Sequence, residues 1–70
     1  MEVLVFITSV QTEVDEQLVQ STLLPLAGIQ NVTFHIEGGD RLLKVKVKDT
    51  SAFTIEMLLI SHGFICVQVN

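Results

Sequence analysis

The feature that most restricts how this chain can fold is Gly38-Gly39-Asp40, set between two alternating runs. Before it, Ile29, Val32, Phe34 and Ile36 are apolar, with Thr33, His35 and Glu37 on the opposite face. After it, Leu43, Val45 and Val47 alternate with Lys44, Lys46 and Lys48. Side chains on a strand point to opposite faces in turn, so each run predicts a strand with one apolar face. Glycine reaches positive φ at little steric cost, which makes the intervening residues a hairpin turn. The two strands pair in phase, and Thr33 and His35 are expected beside the lysines on the open face.

The flanking segments complete a repeating order. Val3 to Thr8 is rich in β-branched residues and predicts a first strand. Leu4 and Phe6 alternate with Val3, Val5 and Ile7, so this strand is apolar on both faces and belongs inside a sheet. Ser9 or Thr12 can cap a helix over about 12–25, with Glu13, Asp15 and Glu16 at its positive end. Leu18, Val19, Leu23 and Leu26 form the expected buried stripe, Pro25 stops the helix, and Gly28 reverses the chain. Asp49, Thr50 and Ser51 are candidate caps for a second helix that buries Ala52, Ile55, Leu58 and Leu59. Gly63 is expected at its C′ position, with His62 in the last turn. Phe64 to Val69 predicts a final strand in which Ile65, Val67 and Val69 alternate with Cys66 and Gln68. The order is βαββαβ. It predicts an α+β, ferredoxin-like sandwich with a four-stranded antiparallel sheet and both helices on one face.

Composition limits the function classes. Seventy residues suffice for one domain, 1–70, and 49% are hydrophobic, so a dense core is expected for the size. The single cysteine, Cys66, allows no internal disulfide and fits a reducing, cytoplasmic setting. Glu2 follows Met1 directly, and the first apolar run ends at Ile7. Neither a secretory signal nor the ~20 apolar residues of a membrane span is expected. A net charge of −4 opposes nonspecific binding of nucleic acid or acidic membrane. The four basic residues cluster as Arg41, Lys44, Lys46 and Lys48. They read as a solvated sheet face that also discourages contact between sheets, with an anion-binding stripe as the alternative.

From Leu23 onward the chain resembles the heavy-metal-associated domain of copper chaperones and metal-pumping ATPases. The resemblance rests on Leu23-x-x-Leu26-x-Gly28-Ile29, Val32-x-Phe34-x-Ile36 and Ile55-x-x-x-Leu59-x-x-x-Gly63-Phe64. These are core and turn positions, so they carry fold further than function. The family holds metal in a Met-Thr-Cys-x-x-Cys loop between the first strand and helix. Counting back from Gly28 sets Val10 at the methionine, Gln11 at the threonine, and Thr12 and Asp15 at the cysteines. Two thiolates are what a Cu(I) site of this kind needs, and a hydroxyl with a carboxylate does not replace them. The resemblance therefore implies a fold relative without soft-metal binding. Its register also turns Leu4, Phe6 and Val10 inward and leaves Val3, Val5 and Ile7 on the open sheet face.

The remaining chemistry is sparse. Cys66 has no neighbouring cysteine and no basic residue close in sequence, and reads as a partly buried structural thiol. His35 lies mid-strand and His62 at a helix end, which opposes a shared metal site. Glu13, Asp15 and Glu16 could hold a hard cation, but a solvated helix N-terminus accounts for them. Ser9, Thr12 and the histidines form no nucleophile constellation, so no enzyme activity and no cofactor are expected. The feature that points to function is apolar. Val3, Val5 and Ile7 form one exposed strip, and Phe53, Met57 and Ile60 form another at helical spacing. The leading expectation is a domain that acts through a homodimer or a protein partner. The alternatives are a metal-related domain with non-cysteine ligands and a small-ligand regulatory domain of the same topology. The latter's usual Asp-x-x-Gly loop after the first strand is missing.

Overall fold

The computed structural model describes residues 2–70; Met1, on which part of the leader argument rests, lies outside them. The elements are β1 (Glu2–Thr8), α1 (Glu13–Leu23), β2 (Ile29–Glu37), β3 (Asp40–Val47), α2 (Ala52–Ser61) and β4 (Cys66–Gln68). One antiparallel sheet has the order β2-β3-β1-β4, the ferredoxin-like arrangement that the βαββαβ order predicts. Among the described residues, no helix is long and apolar enough to cross a membrane.

The inward side of the sheet meets both helices in one core. Leu4, Phe6, Leu43, Val45, Val47 and Val32 come from strands, Val19 and Leu23 from α1, and Ile55 and Leu59 from α2. Val10 and Cys66 join them. Ile29 and Val32 both point inward although three residues apart, because a β-bulge between Ile29 and Asn31 takes up the extra residue. At the hairpin, Glu37 pairs with Asp40 while Gly38 and Gly39 hold φ of 56° and 86°. Both central residues at positive φ define the tight turn that matches strand twist.

Several expectations change at the periphery. The first helix spans 13–23 rather than 12–25, with Thr12 as its N-cap and Leu24 as its C-cap. Pro25 has no N–H to prolong the ladder, and the chain tightens into a Leu26 N–H to Leu23 carbonyl turn instead. Leu18 is 45% exposed: Val19 and Leu23 share the buried line, and Leu18 sits one helical step off it. Ile36, at the hairpin end of β2, is 65% exposed. The last strand shrinks to Cys66–Gln68, with Cys66 turned inward and Ile65, Val67 and Val69 outward.

The second helix begins and ends as its sequence predicts. Ser51 is the cap, and its Oγ accepts the Thr54 N–H. At the other end, Gly63 N–H bonds to the Ile60 carbonyl and Phe64 N–H to the Leu59 carbonyl, a Schellman closure with Gly63 at φ 88°. His62 is the C-cap itself, and its Nδ1 lies 2.9 Å from the Leu58 carbonyl.

Gly28 has a different reason to be glycine. It holds φ of 89°, and a Cβ there would stand 2.1 Å from Thr50 Oγ1 and 2.6 Å from the Lys48 carbonyl. The close approach lets the Lys48 N–H reach the Gly28 carbonyl at 2.8 Å, and Thr50 Oγ1 donates to the Ala27 carbonyl. Gly28→Ala is expected to destabilise the fold by about 2–3 kcal/mol, because strain and clash add. Gly38→Ala, with nothing within 4 Å of the added Cβ, should cost only about 1 kcal/mol. Urea denaturation of the two variants measures the difference.

Candidate functional site

The loop between β1 and α1 is where the resemblance predicts the family's metal site, and its Ser9, Val10 and Thr12 are engaged within the fold. Ser9 N–H bonds to the Ile65 carbonyl at 3.0 Å, and Ser9 Oγ accepts the Ile65 N–H at 2.9 Å. Ser9 thus ties the loop to β4 and leaves the helix cap to Thr12. Val10 N–H is bonded by Thr8 Oγ1, and the Val10 side chain is 1% exposed within the core. Thr12 Oγ1 accepts the Asp15 N–H at 3.1 Å as the cap of α1. Val10 has no donor, Thr12 spends its oxygen on the helix, and Asp15 adds a hard oxygen. This set does not fit a soft metal ion.

Beside the loop lies an open cleft of about 300 Å³, lined by Ile7, Thr8, Val10, Gln11, Gly39, Asp40 and Arg41. Its one cation is neutralised: Arg41 Nη1 stands 2.9 Å from Glu16 Oε2. That contact is an ion pair without an aligned hydrogen bond, since Nη1 has no hydrogen-bond partner. Among the described residues, no three of His, Cys, Asp and Glu converge. His35 lies on β2, pairing with Leu42, and His62 caps α2, so the structure does not bring them together with Cys66.

Cys66 is 3% exposed and its thiol is pushed up to about 12, first by burial and then by the nearby Glu56 carboxylate. Neutral thiol is favoured in the fold, so its contribution to stability is complete below 9.0 and is lost as pH rises toward 12. Alkylation by iodoacetamide at pH 8 should be slow in native protein and fast in urea. Between pH 8 and pH 10.5, the wild type should lose more stability than Cys66→Ala, as read from urea midpoints.

The other sequence-predicted surface is the open face of the sheet. Val3 and Ile7 are 48% and 43% exposed, and Val5 is half-buried. Ile7 stands opposite Val67, and Val69 N–H bonds to the Val5 carbonyl. The outward residues of β4 and its flanks therefore extend the strip, with Ile65, Val67 and Val69 at 67%, 54% and 49%. Sequence reasoning missed these three. Their alternation was visible, but its phase depends on pairing with β1. On the far side of the same face, Thr33 opposes Lys44 and Asn31 opposes Lys46. Lys48 follows just beyond the end of β3. The second strip, Phe53, Met57 and Ile60 on α2, is exposed at 69%, 48% and 50%, in the helix layer.

Side chains engage backbone groups at one position on each edge of the sheet. On β2, the Val32 N–H is taken by Asn31 Oδ1 and the Val32 carbonyl by Gln20 Nε2 from α1. On β4, the Gln68 N–H is taken by Glu56 Oε2 from α2 at 2.9 Å. Where β4 stops short, the Asn70 side chain continues the pairing. Its Oδ1 accepts the Val5 N–H and its Nδ2 donates to the Val3 carbonyl, both at 2.9 Å. At these positions the occupied groups discourage strand addition.

No family model matches the chain, and no curated protein and no solved structure matches it at a significant level.

Proposed function

We propose that this chain is a non-enzymatic protein-contact domain, a cytoplasmic fold relative of heavy-metal-associated domains that lacks their paired thiolates. Its working surface is the open face of the sheet. One observation carries the reading: Val3, Val5, Ile7, Ile65, Val67 and Val69 form a continuous apolar half-face, outside the core and beside a charged half. A contiguous strip of this kind, as opposed to scattered apolar residues, is characteristic of interaction surfaces. The engaged loop and the protonated Cys66 support the non-enzymatic part, since neither offers a nucleophile or an acid–base pair.

A photo-crosslinking residue placed at 7 or 67 in the producing cell should yield a discrete protein adduct. The same residue at Gln17, exposed on α1, should not. Light scattering at micromolar concentration then tells a second copy from another protein. No discrete adduct at either sheet position would sink the contact reading. Ile7→Ser with Val67→Ser should abolish the adduct formed from position 3 while changing stability by less than about 1 kcal/mol, because both side chains are half outside the core.

A further inference from the structure

The open sheet face is divided by charge as well as by polarity, and this bears on what covers it. The β1 and β4 half is apolar, whereas the β3 and β2 half presents Lys44 and Lys46 beside Thr33 and Asn31, with Glu37 and Asp40 together at its hairpin end. Three of the four basic residues of a chain with net charge −4 fall on or just beyond this side. Among the described residues the one ion pair is Arg41–Glu16, so no carboxylate holds Lys44 or Lys46. The boundary between the halves is hollowed. A shallow depression of about 160 Å³ is lined by Val3, Asn31, Thr33, Lys44 and Lys46. Thr33 Oγ1 donates to the Lys44 carbonyl and Asn31 Oδ1 accepts the Val32 N–H, so the two lysines beside Val3 are the groups that suit a carboxylate there.

A second copy fits this face poorly. With the two-fold axis across the strands, β3 lies on β3: centred on the lysines it sets Lys44 against Lys46, and centred at Leu42, which brings Lys44 over Asp40, it carries Val3 and Val5 past the end of β1. With the axis along the strands at the sheet centre, it lays Lys44 over Val5 and Lys46 over Val3. An offset pair, apolar half on apolar half, avoids these costs but leaves the lysines of both copies without a counter-charge. A partner carrying acidic residues beside apolar ones can use both halves.

We infer that the open sheet face docks a protein segment in which acidic residues stand beside apolar ones. A carboxylate lies in the depression at Lys44 and Lys46, and apolar side chains lie along Val5, Ile7 and Val67. This rests on the contact reading above and names the partner's chemistry.

The test is selection of random twelve-residue peptides displayed on phage against the folded chain, followed by affinity measurement of the synthetic winners. Aspartate or glutamate next to apolar residues should be enriched. Lys44→Glu with Lys46→Glu should weaken these peptides at least tenfold, and Ile7→Ser should weaken them comparably, with circular dichroism confirming the fold of each variant. Lysine placed at the peptide's acidic position should restore binding to the charge-reversed chain. Winners without acidic residues, or binding indifferent to the lysine reversal, would overturn the inference. So would a dimer at micromolar concentration that protects Val5 and Val67 amides from exchange, although that outcome leaves the contact reading standing. Winners that all map away from the sheet face would overturn both.

Discussion

Burial of the inward side of β1 is the interaction on which the rest of this structure depends. Leu4 and Phe6 lie in the inner strand of the sheet, between β3 and β4, and Phe6 is fully buried. Both helices pack onto this side, and Val10 closes the core at the loop end. Removing a side chain such as Phe6 from such a site costs about 3–5 kcal/mol, a large part of the stability of a small domain. A two-layer sandwich has only one core, however, so only one side of β1 can be covered. Val3, Val5 and Ile7, which alternate with Leu4 and Phe6, are consequently held outward by the same packing that buries their neighbours.

The manner in which the fold closes its other openings gives that outward side its meaning. Backbone groups at both sheet edges are capped by Gln20, Asn31 and Glu56, and Asn70 supplies the pairing that β4 is too short to provide. The helix ends are capped by Thr12 and Ser51 and by the closure at Gly63. Polar backbone left open is costly, and here side chains from the adjoining elements satisfy it. The apolar half-face has no comparable cover.

The loop after β1 illustrates how a connection can be given over to the fold. Its path is set by the strand and helix that it joins, and those are built from core residues. Its side chains serve the fold itself: Val10 fills the core, Thr12 caps α1, and Ser9 fastens β4. Cys66, the one thiol in the chain, is turned into the core, where burial keeps it protonated. The residue types at Val10, Thr12 and Asp15 carry the expectation against Cu(I) by themselves, because they lack the softness that it demands.

Sequence by itself determined the element order, the Gly38-Gly39 turn and the inward sets of β3 and α2, and narrowed the caps to Ser9 or Thr12 and to Asp49, Thr50 or Ser51. Each of these follows from local sterics and from the period of a strand or helix, which act over a few residues. Tertiary structure decided what depends on neighbours far along the chain. Leu18 and Ile36 have the right period to be buried, yet lie where no opposing layer reaches them. The bulge before Asn31 reconciles two inward residues of unlike phase. Ile65, Val67 and Val69 face outward because Phe6 pairs with Gln68 and Ile7 with Val67, a register that no local pattern contains. Alternation reveals that a strand has two faces, and only packing against a second layer decides which one is covered.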